Sequence, residues 1–432
     1  MKKLLLLLIL VFAAPACTLL NAQDISGDWQ GTLNVGTGLR TILKVAKSNS
    51  GGWTATLYSI DQAPDGIPVT SITLQDSVVS FSVDMVQAKY QGKLSADGNS
   101  ITGTFTQGNA LPLDFKRATK ESAWSVDSSP HRVQFVSVDK DVKLEVLDWG
   151  GAGRPVVLLA GLGSTAHVFD HFALKLISSY HVYGITRRGF GASSAPNPED
   201  GNYSADRLGD DVLAVINALK LDRPVLVGHS IAGEELSSIG SRYPEKVAGL
   251  IYLDAGYAYA YYDSSRGDAI VDLCELRREL NQFASLESPR EHKAQIKELL
   301  DVSLPQFEKD LHDLQKQFQA IPDTAPAPPD TPENRIALAI QSSAQKYTSI
   351  KCPVLAIFAV PHDLGPATGA DAAAHAAMVA ADLDRTSAQA KAFESGIPSA
   401  RVVRLPKANH FVFSSNEADV LREMNAFLAK LP

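Results

Sequence analysis

The sequence has few of the features that mark membrane-spanning, disulfide-rich or nucleic-acid-binding proteins. Its one long apolar run, Leu4 to Ala14, has about half the length that a membrane-spanning helix needs. Three cysteines in 432 residues do not provide a disulfide framework. Forty Lys and Arg stand against 48 Asp and Glu without any basic tract, which argues against nucleic acid as a partner. With 45% apolar and 20% charged residues, the chain is neither disordered nor a coiled coil, and it can bury two cores.

The first 22 residues are typical of a signal peptide. Two lysines precede the apolar run, and small residues allow cleavage after Ala22. In an alternative interpretation, Cys17 lies in a lipoprotein-like box, and a lipid on this residue would tether the protein to a membrane. We therefore expect an exported protein, periplasmic or extracellular. Its remaining cysteines, Cys274 and Cys352, are expected either to pair or to be buried as free thiols.

Residues 23–120 have the pattern of a small all-β domain. Four short runs alternate large, polar, small, polar and large residues, which puts the large residues on one face of a sheet. These runs begin at Trp29, Trp53, Tyr90 and Ile101. Asp97-Gly98 is typical of a hairpin turn. We expect an antiparallel barrel or sandwich of about eight strands, because closure hides strand edges. We interpret it as a structural or docking domain, although the mouth of a small barrel also suits a ligand.

After a linker at residues 121–130, residues 131–432 alternate short apolar strands with amphipathic helices. Strands are predicted at Val133–Val138, Val142–Trp149, Pro155–Leu159, Val182–Thr186, Pro224–Gly228, Leu250–Asp254, Pro353–Phe358 and Arg401–Leu405. Helices are predicted at Ala205–Leu219, Glu234–Arg242 and Glu417–Leu428. This alternation predicts a mostly parallel sheet with helices on both faces. Such a sheet carries its chemistry at the carboxyl ends of its strands.

A long segment without strand signals interrupts this alternation between Asp254 and Pro353. Its pattern is helical at Leu273–Leu280 and at Phe307–Phe318, and a proline-rich stretch follows at Pro322–Pro332. Proline-rich stretches are stiff and extended. A helical excursion above the active edge of the sheet is typical of a lid, which we expect at about residues 257–347.

Ser230 lies where a hydrophobic strand turns sharply into a helix. A nucleophile at such a corner needs small neighbours two residues away on either side, because the turn brings these positions together and strains the serine. Gly228 and Ala232 meet this requirement. The alternative is a serine that only caps the helix.

A serine nucleophile needs a base to remove its proton, and the base needs an acid to orient it. His410, between the last strand and the closing helix, is the predicted base. Two aspartates are candidates for the acid, because each follows or ends a strand of the same sheet. We favour Asp363 after the strand Pro353–Phe358, and Asp254 is the alternative acid or a structural carboxylate at the entrance of the lid.

The loop after the first central strand, Leu159–Ser164, is the candidate oxyanion loop. The backbone amides of Leu162 and Ile231 are the predicted oxyanion donors. A plain glycine turn is the alternative. A phosphate-binding loop is disfavoured, because no lysine follows Gly163 and a third glycine of the dinucleotide pattern is missing.

From about His131 to Pro432 the sequence resembles the α/β-hydrolase fold superfamily. The resemblance is carried by a set of segments rather than by one motif. These are Ala160–Gly163, Arg187–Ser193, the Ser230 turn, Asp363 and Asn409-His410. It implies an α/β-hydrolase sandwich with a helical lid. Members commonly carry Asp where this chain has Thr186-Arg187, so we interpret that loop as structural. The N-terminal domain lies outside the resemblance and is similar only in general to β-domains of secreted bacterial hydrolases.

The resemblance implies a hydrolase but leaves the substrate open. Ser230 disfavours epoxide hydrolases and dehalogenases, which use a carboxylate nucleophile, and Ile231 disfavours imino-peptidases, which usually carry Trp there. We therefore expect a secreted carboxylic ester hydrolase that uses Ser230, His410 and Asp363, acts on a small-molecule ester and needs no metal or organic cofactor. Tyr257 and Tyr259 are expected to line the substrate pocket or to pack the lid on the core.

Two alternatives stay open. An amidase or peptidase would share the catalytic residues. Glu234 and Glu235 could then bind a substrate amine, although carboxylates at a helix start are also stabilised by the helix dipole. A non-catalytic binding protein on a hydrolase scaffold is the second alternative.

Overall fold

The structure is a computed structural model that describes residues 24–34, 38–48, 51–60, 66–107, 109–124, 130–198, 201–319, 330–365 and 372–432. The expected signal peptide, Cys17, half of the linker and most of the proline-rich stretch lie outside the described residues. Within those residues, no helix combines the length and the apolarity that crossing a bilayer requires. Cys274 and Cys352 are buried free thiols, so they do not pair with each other.

In the described part of residues 24–124, ten strands form one antiparallel sheet. They are β1 (Gly27–Asn34), β2 (Gly38–Lys47), β3 (Trp53–Ser59), β4 (Ile67–Pro68), β5 (Ser71–Gln75), β6 (Val78–Val83), β7 (Ala88–Leu94), β8 (Ser100–Gln107), β9 (Asn109–Pro112) and β10 (Phe115–Arg117). Their order is β4-β3-β2-β1-β10-β8-β7-β6-β5, with β9 paired to β8. The antiparallel β domain is thus confirmed. It is a single half-barrel sheet rather than a two-sheet sandwich, and it has more strands than expected.

The inner face of this sheet is packed with aromatic and aliphatic side chains. Buried and exposed residues alternate along β7, as expected for a sheet with one covered face. The ring of Tyr90 stacks on Phe81 with centroids 4.9 Å apart and meets Phe115 edge-on at 5.3 Å. Trp29 is fully buried, and its Nε1 donates to the Ile25 carbonyl at 2.9 Å. Large residues of the repeated pattern therefore form this core.

The second sheet has eight strands among the described residues. They are β11 (Arg132–Asp139), β12 (Val142–Gly150), β13 (Pro155–Leu159), β14 (His181–Ile185), β15 (Val225–His229), β16 (Gly249–Leu253), β17 (Val354–Ala359) and β18 (Ala400–Leu405). Their order is β11-β12-β14-β13-β15-β16-β17-β18. β11, β12 and β14 pair antiparallel, whereas β14 and the strands beyond it are mutually parallel. Every strand predicted for this half is found within one residue of its predicted ends.

Helices cover both faces of the second sheet. They are α1 (Asp170–Ala173), α2 (Ala205–Ala218), α3 (Gly233–Arg242), α4 (Ala269–Phe283), α5 (Pro289–Glu298), α6 (Leu304–Phe318), α7 (Pro332–Gln341), α8 (Ala372–Gly396), α9 (Val412–Ser415) and α10 (Glu417–Leu428). Side chains alternate between the two faces along a strand. Val157 and Leu159 of β13 therefore pack on one face, under α2, α3 and α8. Val156 and Leu158 pack on the other face, under α1 and α10. The two cores hold the parallel strand ends in fixed register.

The long segment between β16 and β17 is helical, as predicted. It contains α4 to α7, and its two predicted helical stretches lie within α4 and α6. The Asp268 carboxylate caps α4 by accepting from the amides of Ile270 and Val271. At the end of the segment, Ile336 and Ile340 of α7 are buried against the rest of the domain.

Candidate active site

Ser230 lies at the sharp turn between β15 and α3, at the carboxyl edge of the central strands. Its φ of 55° is in the left-handed region, which is costly for a residue with a side chain and typical of a strained nucleophile turn. A Cβ atom at Gly228 would lie 2.9 Å from Leu236, and one at Gly233 would lie 2.0 Å from the Ala255 carbonyl oxygen. Glycine is needed at these positions because the neighbouring elements pack directly on the backbone.

The loop after β13 lies against this turn. A Cβ atom at Gly161 would be 2.8 Å from His229 Nδ1 and 3.1 Å from Ser230 Cβ, so glycine permits the close approach. Leu162 and Ile231 belong to one apolar cluster. The two residues predicted as oxyanion donors therefore lie close together beside Ser230, and the role of their amides stays a prediction.

His410 follows β18 and contacts Asp254, which follows β16. His410 Nδ1 lies 2.7 Å from Asp254 Oδ2. The carboxylate is 2% exposed, and the imidazole is 37% exposed. The backbone N–H of Ala359 donates to the other oxygen, Asp254 Oδ1, at 3.0 Å. One ring nitrogen of His410 is thus fixed on a buried carboxylate, and its Nε2 lies on the opposite side of the ring.

Asp363, the acid favoured from the sequence, is positioned elsewhere. Its exposed carboxylate accepts from the backbone N–H of Gly365 at 2.9 Å, and its own N–H donates to the Ala408 carbonyl at 2.8 Å. Among the described residues, Asp254 rather than Asp363 is the carboxylate on His410 Nδ1. The structure thus brings the alternative acid, Asp254, to His410 and does not bring Asp363 there, and the catalytic role of either aspartate stays a prediction. The physical reason is an offset of one residue, because position 362 and not 363 faces the site after β17.

A second histidine, His362, also contacts Asp254. His362 Nε2 lies 2.6 Å from the same oxygen that contacts His410. Burial alone would raise the pKa of Asp254, but the hydrogen bonds and charges of the two histidines outweigh burial and hold this pKa well below its usual range. His362 is not among the site residues predicted from the sequence. A titratable residue directly before the favoured acid, Asp363, was the available signal.

His229 fixes the loop that carries His410. The side chain of His229 is fully buried, and its Nε2–H donates to the His410 carbonyl at 3.0 Å. The two imidazole centroids lie 4.6 Å apart. Burial lowers the pKa of His229 to about 3, with a contribution from the neighbouring histidine, so its ring is neutral. The residue before Ser230 therefore anchors the loop of the candidate base next to the candidate nucleophile.

Tyr257 and Tyr259, predicted to border the substrate pocket, lie beside the catalytic candidates. The Tyr257 hydroxyl is 3.3 Å from Asp254 Oδ2 and 3.4 Å from His410 Nδ1. Ser230 acts on the pKa of Tyr259 in the lowering direction, against the larger effect of burial. Burial raises the pKa of both phenols, so both are neutral at physiological pH. These tyrosines also pack on each other, with centroids 5.5 Å apart.

Arg187 links the candidate oxyanion loop, Leu159–Ser164, to α3. Its guanidinium lies 2.5 Å and 3.1 Å from the two carboxylate oxygens of Glu235, and both side chains are almost fully buried. The same group donates to the carbonyls of Ala160 at 2.9 Å and of Gly161 at 3.4 Å. The buried ion pair thus holds the backbone of the loop that lies against Ser230.

Arg187→Met is expected to lower the free energy of unfolding by about 3–5 kcal/mol, because it leaves the Glu235 carboxylate buried without its cation. The double variant Arg187→Met/Glu235→Leu should recover most of the loss, because it leaves no buried charge. Urea unfolding of the three proteins measures both effects. Arg422→Met is the control, since Arg422 and Asp419 form an exposed pair and no measurable change is expected. A single variant as stable as the original protein would contradict the structural role of this pair.

Two groups of described residues have possible metal-ligand atoms within 4.8 Å of one another. They are His131, His167 and Asp170, and Asp254, His362 and His410. Ligands of one zinc ion lie about 3 Å or more apart at bond lengths of about 2 Å. In the second group the nitrogen–oxygen distances are 2.6 Å and 2.7 Å, which is shorter than this separation. In the first, the Asp170 carboxylate also accepts from Trp149 Nε1 at 2.9 Å. We interpret both groups as hydrogen-bonded networks.

A family model described as alpha/beta hydrolase fold matches residues 154–417. A 2-(acetamidomethylene)succinate hydrolase from Mesorhizobium japonicum is 28% identical over 104 residues, which are 24% of this chain and 36% of that protein. A fluoroacetate dehalogenase from a Burkholderia species is 30% identical over 116 residues, which are 26% and 38%. The matched region thus spans less than half of each relative. The structure of a thermophilic esterase from Thermogutta terrifontis covers 69% of this chain and 98% of its own, with 21% identity and a TM-score of 0.43.

Proposed function

Because this chain belongs to the alpha/beta hydrolase fold family, we propose that it is a serine hydrolase that cleaves carboxylic esters with Ser230, His410 and Asp254. The observation that carries this proposal is the 2.7 Å contact between His410 Nδ1 and the buried Asp254 carboxylate, next to the strained turn at Ser230. A serine, an imidazole and a buried carboxylate in this arrangement suit acyl transfer.

In the proposed reaction, Ser230 Oγ attacks the ester carbonyl carbon, and His410 Nε2 takes the hydroxyl proton. The negative charge on the carbonyl oxygen is stabilised by the backbone amides of Leu162 and Ile231. When the intermediate collapses, the alcohol leaves with the proton from His410. Water then attacks the acyl-enzyme with the same help from His410, and the carboxylic acid is released. Asp254 keeps the imidazole in the tautomer that presents Nε2 to the serine.

An ester substrate is favoured by the apolar surroundings of Ser230. The neighbouring cluster contains Phe190, Tyr203, Leu208, Ile231, Ile336 and Ile340, with Leu162 and Tyr259 packed against it. Apolar walls with few polar groups suit a neutral acyl or alcohol group.

Binding of a substrate amine by Glu234 and Glu235 is disfavoured. The Glu235 carboxylate is already neutralised by the guanidinium of Arg187. Glu234 is fully buried, and burial raises its pKa well above the ordinary value, with the Glu235 charge acting in the same direction. A pair that carries one paired and one protonated carboxyl group has no free charge to offer an ammonium group.

We further propose that the helical segment between β16 and β17 is a lid over Ser230. Ile336 and Ile340 of α7 pack with Ile231, the residue after the nucleophile. Both isoleucines are at most 5% exposed. An acyl group on Ser230 would meet these side chains, so the helix would limit the length of the substrate.

The test is hydrolysis of p-nitrophenyl esters from acetate to laurate beside the matching p-nitroanilides. We expect esters to be cleaved with an initial burst of p-nitrophenol, which reports the acyl-enzyme, and with kcat/KM above that for the anilides. Faster cleavage of the anilides would make the protein an amidase on the same residues. A folded protein that cleaves neither class would contradict the proposed function.

A pair of variants on α7 tests the lid within the same panel. Ile336→Ala shortens a buried side chain of the apolar cluster and leaves more room for the substrate. The preferred acyl chain should therefore become longer. Leu338→Ala is the matched control on the same helix, because Leu338 is 64% exposed. An equal shift in both variants, or in neither, would contradict the assignment of α7 to the substrate pocket.

A further inference from the structure

One oxygen of Asp254 is shared by two histidines. Oδ2 lies 2.7 Å from His410 Nδ1 and 2.6 Å from His362 Nε2, and the Tyr257 hydroxyl is 3.3 Å away. A hydrogen bond from Ala359 N–H holds the other oxygen. The carboxylate is therefore oriented from several sides, and His362 makes the shortest of these contacts.

The other ring nitrogen of His362 contacts a second carboxylate, that of Asp382. His362 Nδ1 lies 3.0 Å from both oxygens of Asp382, and the backbone N–H of His362 donates to Asp382 Oδ2 at 2.8 Å. Both carboxylates are buried, with side-chain exposures of 2% for Asp254 and 5% for Asp382. A neutral imidazole has one N–H and would turn a lone pair towards one of these anions. An imidazolium donates to both.

Four elements bring these groups together. Asp254 follows β16, His362 follows β17, His410 follows β18, and Asp382 lies on α8. A backbone bridge between residue 362 and Ala408 extends the pairing of β17 and β18 towards the base. A further charged group at this site is Arg385 of α8, which is 60% exposed and lies 2.7 Å from Asp382 Oδ1.

We propose that His362 is a positioning residue, held by Asp382, that orients the Asp254 carboxylate and thereby the base His410. The chain of contacts runs from Asp382 through His362 and Asp254 to His410, which is the proposed base for Ser230. This inference rests on the proposed function, because it assigns His362 a role in the same reaction. His362 itself does not touch the substrate.

The electrostatics of the network agree with a charged His362. Burial alone would lower the pKa of His362, but the hydrogen bonds and charges of Asp254 and Asp382 outweigh burial and raise it. The hydrogen bonds and charge of His362, together with a hydrogen bond from Arg385, likewise hold the pKa of Asp382 low, against the effect of burial. Since the pKa of His362 is raised on folding, the imidazolium stabilises the fold below the ordinary histidine pKa of about 6.5. This contribution is lost as the pH rises through the raised value.

Nitrogen NMR of protein labelled with ¹⁵N-histidine tests the charge of His362 without any activity measurement. We expect an imidazolium signal at pH 7.5 that disappears in His362→Gln and that persists in His171→Gln, a control at an exposed side chain. In Asp382→Asn, the same signal should titrate at lower pH. A neutral His362 ring at pH 7.5 in the unmodified protein would overturn the proposal, whatever its activity.

The pH profile of ester hydrolysis tests the positioning role. His362→Gln keeps a donor for Asp254 but removes the cation, so kcat should fall about 10-fold, the size of one charge-assisted hydrogen bond, with KM unchanged. Without the neighbouring cation, the acid limb of kcat/KM should move to higher pH. Asp382→Asn, which keeps the shape of the side chain, should shift the limb in the same direction.

A merely structural His362 predicts a different outcome. Both variants would then lose stability in urea while kcat and the acid limb stay unchanged, and this result would overturn the proposal. If the unmodified protein cleaves neither esters nor anilides while the NMR signal is that of an imidazolium, the proposed function fails and the positioning role fails with it. The charged network would still be established as a structural feature.

Discussion

Ser230→Ala is expected to lower kcat for ester hydrolysis by about 10⁶-fold, the loss typical of removing a serine nucleophile that acts with a base and an acid. The variant should also fail to form the acyl-enzyme, so mass spectrometry of the protein quenched during turnover should find an acyl adduct only on unmodified Ser230. The measurements are the steady-state rate and the mass of the intact protein.

Comparing Ser230→Gly with Ser230→Ala separates the loss of the nucleophile from the effect of the backbone conformation on stability. Alanine keeps the cost of the left-handed backbone, whereas glycine adopts φ of 55° freely. Both variants should be inactive, but the glycine variant should be more stable in urea by about 1 kcal/mol. Ser285→Ala, at an exposed serine of the helical segment, is the control and should keep full activity. Residual activity of Ser230→Ala close to the original level would refute a serine nucleophile at this position.

The inner strands of the second half could be predicted because they are apolar runs buried on both faces, whereas the edge strands β11 and β18 are mostly exposed or half-buried. Such runs stand out in the sequence, and the structure finds each of them within one residue. The helix α8 was not among the predicted helices. Its sequence is rich in alanine, as in Ala372–Ala377, and lacks the regular apolar stripe that marks a surface helix. Asp382, which lies on this helix, was missed for the same reason.

A site residue could be predicted where the backbone geometry it requires restricts the residues close to it in the sequence. Ser230 needs small neighbours at fixed spacing, and this requirement is visible in the sequence. The acid has no such signature. Asp254 and Asp363 both stand at strand ends. The sequence does not show that, after β17, position 362 rather than 363 faces the site. The pairing of Arg187 with Glu235, 48 residues apart, depends on tertiary packing and has no local signal.

Asp254→Asn is expected to lower kcat by about 10⁴-fold, as when the acid of a serine triad is converted to its amide. The amide would leave His410 Nδ1 without a carboxylate acceptor and would favour the wrong tautomer of the ring. The fold should tolerate the change, because Asp254 has φ of 47° and asparagine is among the residues that best accept the left-handed region. Steady-state kinetics, with circular dichroism as the check on folding, measures the effect.

Asp363→Asn is the matched comparison, since it makes the same chemical change at the end of the neighbouring strand. Its carboxylate is exposed and bonded to the Gly365 amide, so kcat and KM should both stay unchanged. The opposite result, with activity lost in Asp363→Asn and kept in Asp254→Asn, would mean that the loop after β17 rearranges to bring Asp363 to the base. Equal losses in both variants would point to damage of the loop as a whole. Only a loss confined to Asp254→Asn identifies the carboxylate on His410 Nδ1 as the catalytic acid.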